Sequence, residues 1–208
     1  MPLAGESGTT NNDYRQARDG AMGNVTRTMA LVAGMGLLAL SARAQANVED
    51  SGTSVYLELG RAPHHGATTD AATVGLRMPT GTAWFNGRLS LVVDAYASLW
   101  HADALPGQRE SFGQVGIVPM FRWRFDAGRS PWFVEAGVGA SYLTQGYTTV
   151  NKRFGTRWNF SDHVGVGRHF GAQGRHALGV YVKHVSNGGL SDPNPGETFY
   201  QLRYGYAL

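Results

Sequence analysis

Residues 198–208, TFYQLRYGYAL, decide the fold class. Tyr200, Leu202, Tyr204, Tyr206 and Leu208 alternate with Gln201, Arg203, Gly205 and Ala207. A strand through this stretch therefore has one wholly apolar or aromatic face and one polar or small face. The apolar face runs to the last residue. A strand packed on a soluble core tolerates such a pattern. A chain that ends on an apolar face is better explained by a barrel-closing strand whose outside touches lipid.

The rest of the chain reads the same way. After residue 50 there is almost no helical period. Alternating segments occupy residues 53–62, 72–78, 88–101, 112–125, 132–144, 158–170 and 176–186, and with 198–208 they make eight strand candidates. Turn-rich stretches separate them at Pro79–Thr82, Pro106–Gly107, Asp126–Gly128 and Gly171–Gly174. Pro119 falls inside the fourth candidate, and its missing N–H implies a bulge or bend there. Gly 29, aromatics at 11% and charged residues at only 16% suit a membrane barrel better than an ordinary soluble domain. The expected fold is all-β: an eight-stranded antiparallel outer-membrane β-barrel, preceded by a signal peptide.

Residues 1–46 read as leader and signal peptide. Arg15, Arg18 and Arg27 precede an apolar run from Met29 to Leu40, too short to span a bilayer as a helix, which takes about 20 residues. Small residues follow, with cleavage expected after Ala44 or Ala46. The barrel then occupies residues 47–208. That part carries 14 Lys/Arg against 12 Asp/Glu, a balance too mild for a nucleic-acid partner. The absence of cysteine excludes disulfides and thiolate metal sites.

With an even number of strands, both termini lie on the periplasmic side and the long loops outside. Strand seven then ends near the outer leaflet, where KHVSNGGLSDPNPGE (residues 183–197) begins. Period two places Val180, Val182, His184 and Ser186 on one face, and Gly179, Tyr181 and Lys183 on the other. The first set should face lipid. A bare His/Ser pair there is costly unless it has a role. A histidine within reach of a serine can take its proton and make the oxygen a nucleophile. A His-x-Ser pair also arises by chance, and a strand end at the interface tolerates both residues.

VKHVSNGGLSDPNPGETFYQLRYGYAL resembles the C-terminal signature of the lipid A 3-O-deacylases, the PagL family of acyloxyacyl hydrolases. Asn187, Gly188, Gly189, Leu190, Pro193, Asn194 and Gly196 fit the same pattern. FVEAGVGASYLT and FSDHVGVGRHFG resemble the family's fifth and sixth strands, so the likeness runs from residue 131 to 208. The resemblance implies an outer-membrane esterase that hydrolyses the 3-O-linked acyl chain of lipid A in lipopolysaccharide. It implies no metal or cofactor. By position, Ser186 is the nucleophile and His184 the general base. The family's acid falls on Thr198 here, with Glu197 one residue earlier. Glu197 is taken as the orienting acid, with Asp192 as the weaker candidate. Asn194 by resemblance, and the backbone N–H groups of Asn187, Gly188 and Gly189, are the candidate oxyanion donors; turn chemistry is the alternative for both asparagines and accounts for Asn194 equally well.

None of His64, His65, His163, His169 and His176 has metal-ligand spacing, and they read as surface or lumen residues. Trp84, Trp100, Trp123, Trp132 and Trp158 read as girdle aromatics. Arg61, Arg109, Lys152, Arg153 and Arg157 lie in or near loops, as solvated charges or as partners for lipid A phosphates. Partners other than lipopolysaccharide and membrane lipid are not implied, and a homodimer stays open. The alternative function is a non-catalytic small barrel, an adhesin or structural protein.

Overall fold

The computed structural model describes residues 52–208 except 65 and 106. The leader segment, residues 1–46, and its cleavage site lie outside the described residues. The strands are β1 (Ser54–His64), β2 (Ala67–Trp84), β3 (Leu89–Leu105), β4 (Gln108–Arg124), β5 (Trp132–Leu143), β6 (Trp158–Phe170), β7 (His176–Ser186) and β8 (Glu197–Ala207). Each pairs antiparallel with its sequence neighbours, and β8 returns to β1 to close the barrel. Closure runs from Ser54↔Ala207 to Arg61↔Tyr200. It is the full pairing of every strand that a membrane interior demands.

The faces are inverted relative to a soluble barrel. Leu57 (61% exposed), Val138, Val164, Val180 and Tyr200 point out, whereas Glu58, Asp94, Arg122, Glu135, Lys183 and Arg203 are buried inside. The Arg203 guanidinium donates to Glu58 Oε2 at 2.7 Å and to Asp94 Oδ2 at 2.9 Å. It lies between the rings of Tyr56 and Tyr181, 3.9 and 4.1 Å from their centroids. Arg77 and Arg122 share Glu135 Oε2 at 2.7 and 2.8 Å. Charges removed from water persist only when paired in this way.

Four strand glycines make room for inward rings. A Cβ at Gly75, Gly116, Gly165 or Gly167 would overlap the ring of Tyr56, Tyr96, Tyr181 or Phe133, respectively. Each ring thus lies flat over a glycine of the adjoining strand, and a narrow lumen accommodates large aromatics.

β2 is longer than the alternation suggested. Its outer half, ATTDAA, alternates small residues rather than large ones, with Ala67, Thr69, Ala71 and Thr73 buried. The volume above them is filled by Trp100, Phe112 and Phe199 from other strands and by Tyr147 and Phe154 from the connection after β5. Pro79–Thr82 is not the end of a strand but a bulge, with the β2–β3 register shifting between Pro79 and Ala83. Pro119 introduces no bulge. It pairs with Val93 in an unbroken β3–β4 register, and β4–β5 pairing resumes at Met120↔Gly137 in the register it had at Ile117↔Ala140. Trp100 is fully buried in the plug, not in a girdle, whereas Trp84, Trp132 and Trp158 are exposed outside.

Candidate active site

The two long connections, residues 144–157 and 187–196, lie at the barrel end opposite the chain's C-terminus. They are joined where Gly155 N donates to Pro193 O at 2.8 Å. A Cβ on Gly155 would press on the Asp192 carbonyl, so glycine permits the contact. His184 and Ser186 sit where β7 runs into the second loop. Both are half-buried, while the intervening Val185 is buried in the lumen. The pair therefore faces outward, as period two requires. Phe160 of β6 lies opposite Ser186, and Thr198 of β8 lies opposite His184.

Thr198 Oγ1 is 2.8 Å from His184 Nδ1. With the proton on Nδ1, the ring donates to this hydroxyl and leaves Nε2 bare as a base. Gly196 lies against the other edge. A Cβ built there would fall 2.6 Å from His184 Cε1, 3.0 Å from Nε2 and 3.6 Å from Ser186 Cβ. Imidazole and serine thus flank one backbone position that only glycine leaves open, without a hydrogen bond between them among the described residues, and Gly196 also has φ +63°. Gly196→Ala should lower the rate of the ester hydrolysis expected of this pair about a hundredfold by displacing the ring. Its left-handed backbone should cost about 1–2 kcal/mol of stability. Kinetics and urea unfolding of one purified variant check both.

Glu197 does not meet the imidazole. It stands across from Val185 and is buried in the lumen. There its Oε2 accepts from Tyr147 Oη at 2.7 Å, and its Oε1 from Lys152 Nζ at 2.9 Å. Lys152 also donates to Gly196 O at 3.0 Å. Burial and the adjacent Glu197 carboxylate push the Tyr147 phenol up, so it stays a donor. Thr69 in turn donates to the Tyr147 oxygen at 2.6 Å. The expectation that Glu197 orients His184 is thus corrected. The pairing is regular from Thr198 onward, and neighbours on a strand take opposite faces. Glu197 instead ties the 144–157 loop to the start of β8, directly behind Gly196. Asp192 is exposed in the loop and has no hydrogen bond or ion pair to His184 among the described residues. Glu197→Gln should keep activity within about tenfold of wild type, far from the loss of about 10⁴ seen when a triad acid is neutralised. It should also speed proteolytic nicking of residues 144–157, read by limited proteolysis.

Two of the three expected backbone donors are used inside the loop. Asn187 N donates to Asn194 Oδ1 and Gly189 N to Asn187 Oδ1, both at 2.9 Å. Asn187 Nδ2 is held by Ser191 O at 2.7 Å. Among the described residues the Gly188 N–H and the Asn194 amide nitrogen have no hydrogen-bond acceptor. Among the loop cations, Arg61 and Arg109 pair with Asp70, and Arg157 is bound to the Leu143 and Thr144 carbonyls. The lumen also opens into a cavity of about 450 Å³ lined by Arg77, Arg203 and Tyr206, among others, but at the opposite end of the barrel. The site is open to the bilayer side instead.

The family profile for lipid A 3-O-deacylase (PagL) matches residues 70–207. The chain belongs to the PagL family. It is 34% identical over 182 residues to the lipid A deacylase PagL of Bordetella bronchiseptica, covering 83% of this chain and 93% of that protein. To the lipid A deacylase PagL of Pseudomonas aeruginosa it is 32% identical over 134 residues, covering 63% and 74%. Among solved structures, the outer-membrane enzyme PagL superposes with a TM-score of 0.61 at 24% identity, covering 74% of this chain and 99% of that one. The chain is thus a PagL-family ester hydrolase on an outer-membrane barrel. The resemblance had put Thr198 at the family's acid position, and it is this hydroxyl rather than Glu197 that meets Nδ1; Gly196, the floor beneath ring and serine, escapes sequence reading. Both depend on how β8 registers after an irregular loop.

Proposed function

We propose that this chain hydrolyses the 3-O-linked acyl ester of lipid A by a serine mechanism at the outer leaflet. The observation that carries the reading is the outward imidazole, held at Nδ1 by Thr198 and flanking Gly196 together with Ser186. An ester whose acyl chain lies in the membrane reaches such a site without leaving the bilayer. Exposed Phe160, Val180 and Tyr200 give that chain an apolar wall to lie against.

In the first step Ser186 Oγ attacks the ester carbonyl while His184 Nε2 takes its proton. The negative oxygen of the tetrahedral intermediate is met by the Gly188 N–H and the Asn194 amide. Collapse expels the sugar 3-oxygen, which receives the proton from the imidazolium, and leaves an acyl-serine. Water then attacks with His184 again as base, releasing the fatty acid and restoring Ser186. Thr198 keeps the ring in the tautomer that both steps need. The test is mass spectrometry of lipid A after incubation of lipopolysaccharide with wild type and with Ser186→Ala. Loss of one acyl chain from position 3 with wild type alone is expected. Equal products from both proteins would end the reading.

A further inference from the structure

Asp162 of β6 is directly opposite His184 in the β6–β7 register, on the side away from Thr198. It alternates with the inward Ser161 and His163, so it shares the outward face with the imidazole. It is half-buried and has no hydrogen-bond or ion-pair partner among the described residues. An unpaired carboxylate on the lipid-facing wall is unfavourable in itself. Directly opposed residues on an antiparallel pair hold their Cβ atoms about 4.5–5.5 Å apart, so the two side chains are neighbours.

We propose that Asp162 is the charge partner of His184: a positioning residue whose carboxylate stabilises the imidazolium formed when Ser186 transfers its proton to Nε2. The inference rests on the Ser186/His184 reading above. Thr198 fixes the ring's orientation and tautomer, but a neutral hydroxyl cannot balance a positive charge. Around His184 the other strands and the loop offer little else. β8 presents Thr198 and, diagonally, Tyr200. The loop presents Gly196, behind which Lys152 is already neutralised by Glu197. Lys183 and Val185 point into the lumen. Asp162 is thus the one carboxylate among the described residues that faces the ring. At a half-buried site its field is screened less than between fully solvated charges.

The test is the pH dependence of kcat and KM on lipopolysaccharide in detergent micelles. It uses wild type, Asp162→Asn, Asp162→Glu, Thr198→Glu and the Thr198→Glu/Asp162→Asn double variant. A negative neighbour favours the protonated ring, so its removal should move the acid limb of the profile to lower pH. In Asp162→Asn, kcat should fall about tenfold to a hundredfold at little change in KM. Asp162→Glu should recover most of that loss. In the Thr198→Glu background, which supplies its own carboxylate at Nδ1, the Asp162→Asn change should become nearly silent. An unmoved acid limb in Asp162→Asn overturns the proposal, as does a change confined to KM, which would mark a contact to the sugar instead. Asp162→Ser, neutral and small, repeats the test if the asparagine variant does not fold. Hydrolysis surviving in Ser186→Ala would instead sink the serine mechanism, a separate failure.

Discussion

Under the proposed mechanism, replacing Ser186 by alanine should lower the rate of 3-O-deacylation at least about 10³-fold, because the remaining groups could polarise the ester but none could attack it. His184→Ala should do the same, since the proposed mechanism gives the serine proton to Nε2. The two changes should not add. Nucleophile and base act in one step, so the double variant should be no slower than either single one. The barrel should be untouched, because both side chains face outward and Val185 between them keeps its buried contacts. A time course of lipid A by mass spectrometry measures the loss. The heat-dependent gel mobility of a folded barrel confirms the rest. A variant losing less than tenfold would show that Ser186 is not the attacking group.

The second large effect lies inside the barrel. Arg203→Met should lower unfolding stability by about 3–5 kcal/mol, the range for removing one member of a buried ion cluster. Methionine retains bulk between the Tyr56 and Tyr181 rings but strands the carboxylates of Glu58 and Asp94. Lys183, 3.4 Å from Glu58 Oε1, compensates only in part. Urea unfolding in micelles, followed by tryptophan fluorescence, gives the difference. Adding Glu58→Gln and Asp94→Asn should recover much of it, since both stranded charges are then gone. Activity per folded molecule should stay near wild type. Arg203 stands across from Gly179, well down β7 from the outward pair. A stability change below about 1 kcal/mol would mean that water reaches this cluster freely.

Strand positions were legible wherever one face alternated in large residues. β6 and β7 match their sequence ranges at both ends, and β8 differs by one residue at each. The start of β2 escaped, beyond the 72–78 core that alternation marked, because its inner face there is small, matched to aromatics arriving from β3, β4, β8 and a loop. Nothing local in ATTDAA announces that partner. Trp100 misled for the same reason: its alternation is correct, but whether an aromatic fills a plug or lies in a girdle depends on which face the barrel turns inward at that height.

The chain's alternation by itself determined that the protein is a closed membrane barrel and that imidazole and hydroxyl share an outward face, because period two needs only neighbouring residues to be read. Only the tertiary structure decided what touches the imidazole. Between Ser186 and β8 lies an irregular loop in which counting residues no longer tracks direction. The hydrogen-bond register of β7 with β6 and β8 alone places Thr198 and Asp162 on either side of His184, and turns Glu197 inward to hold a loop.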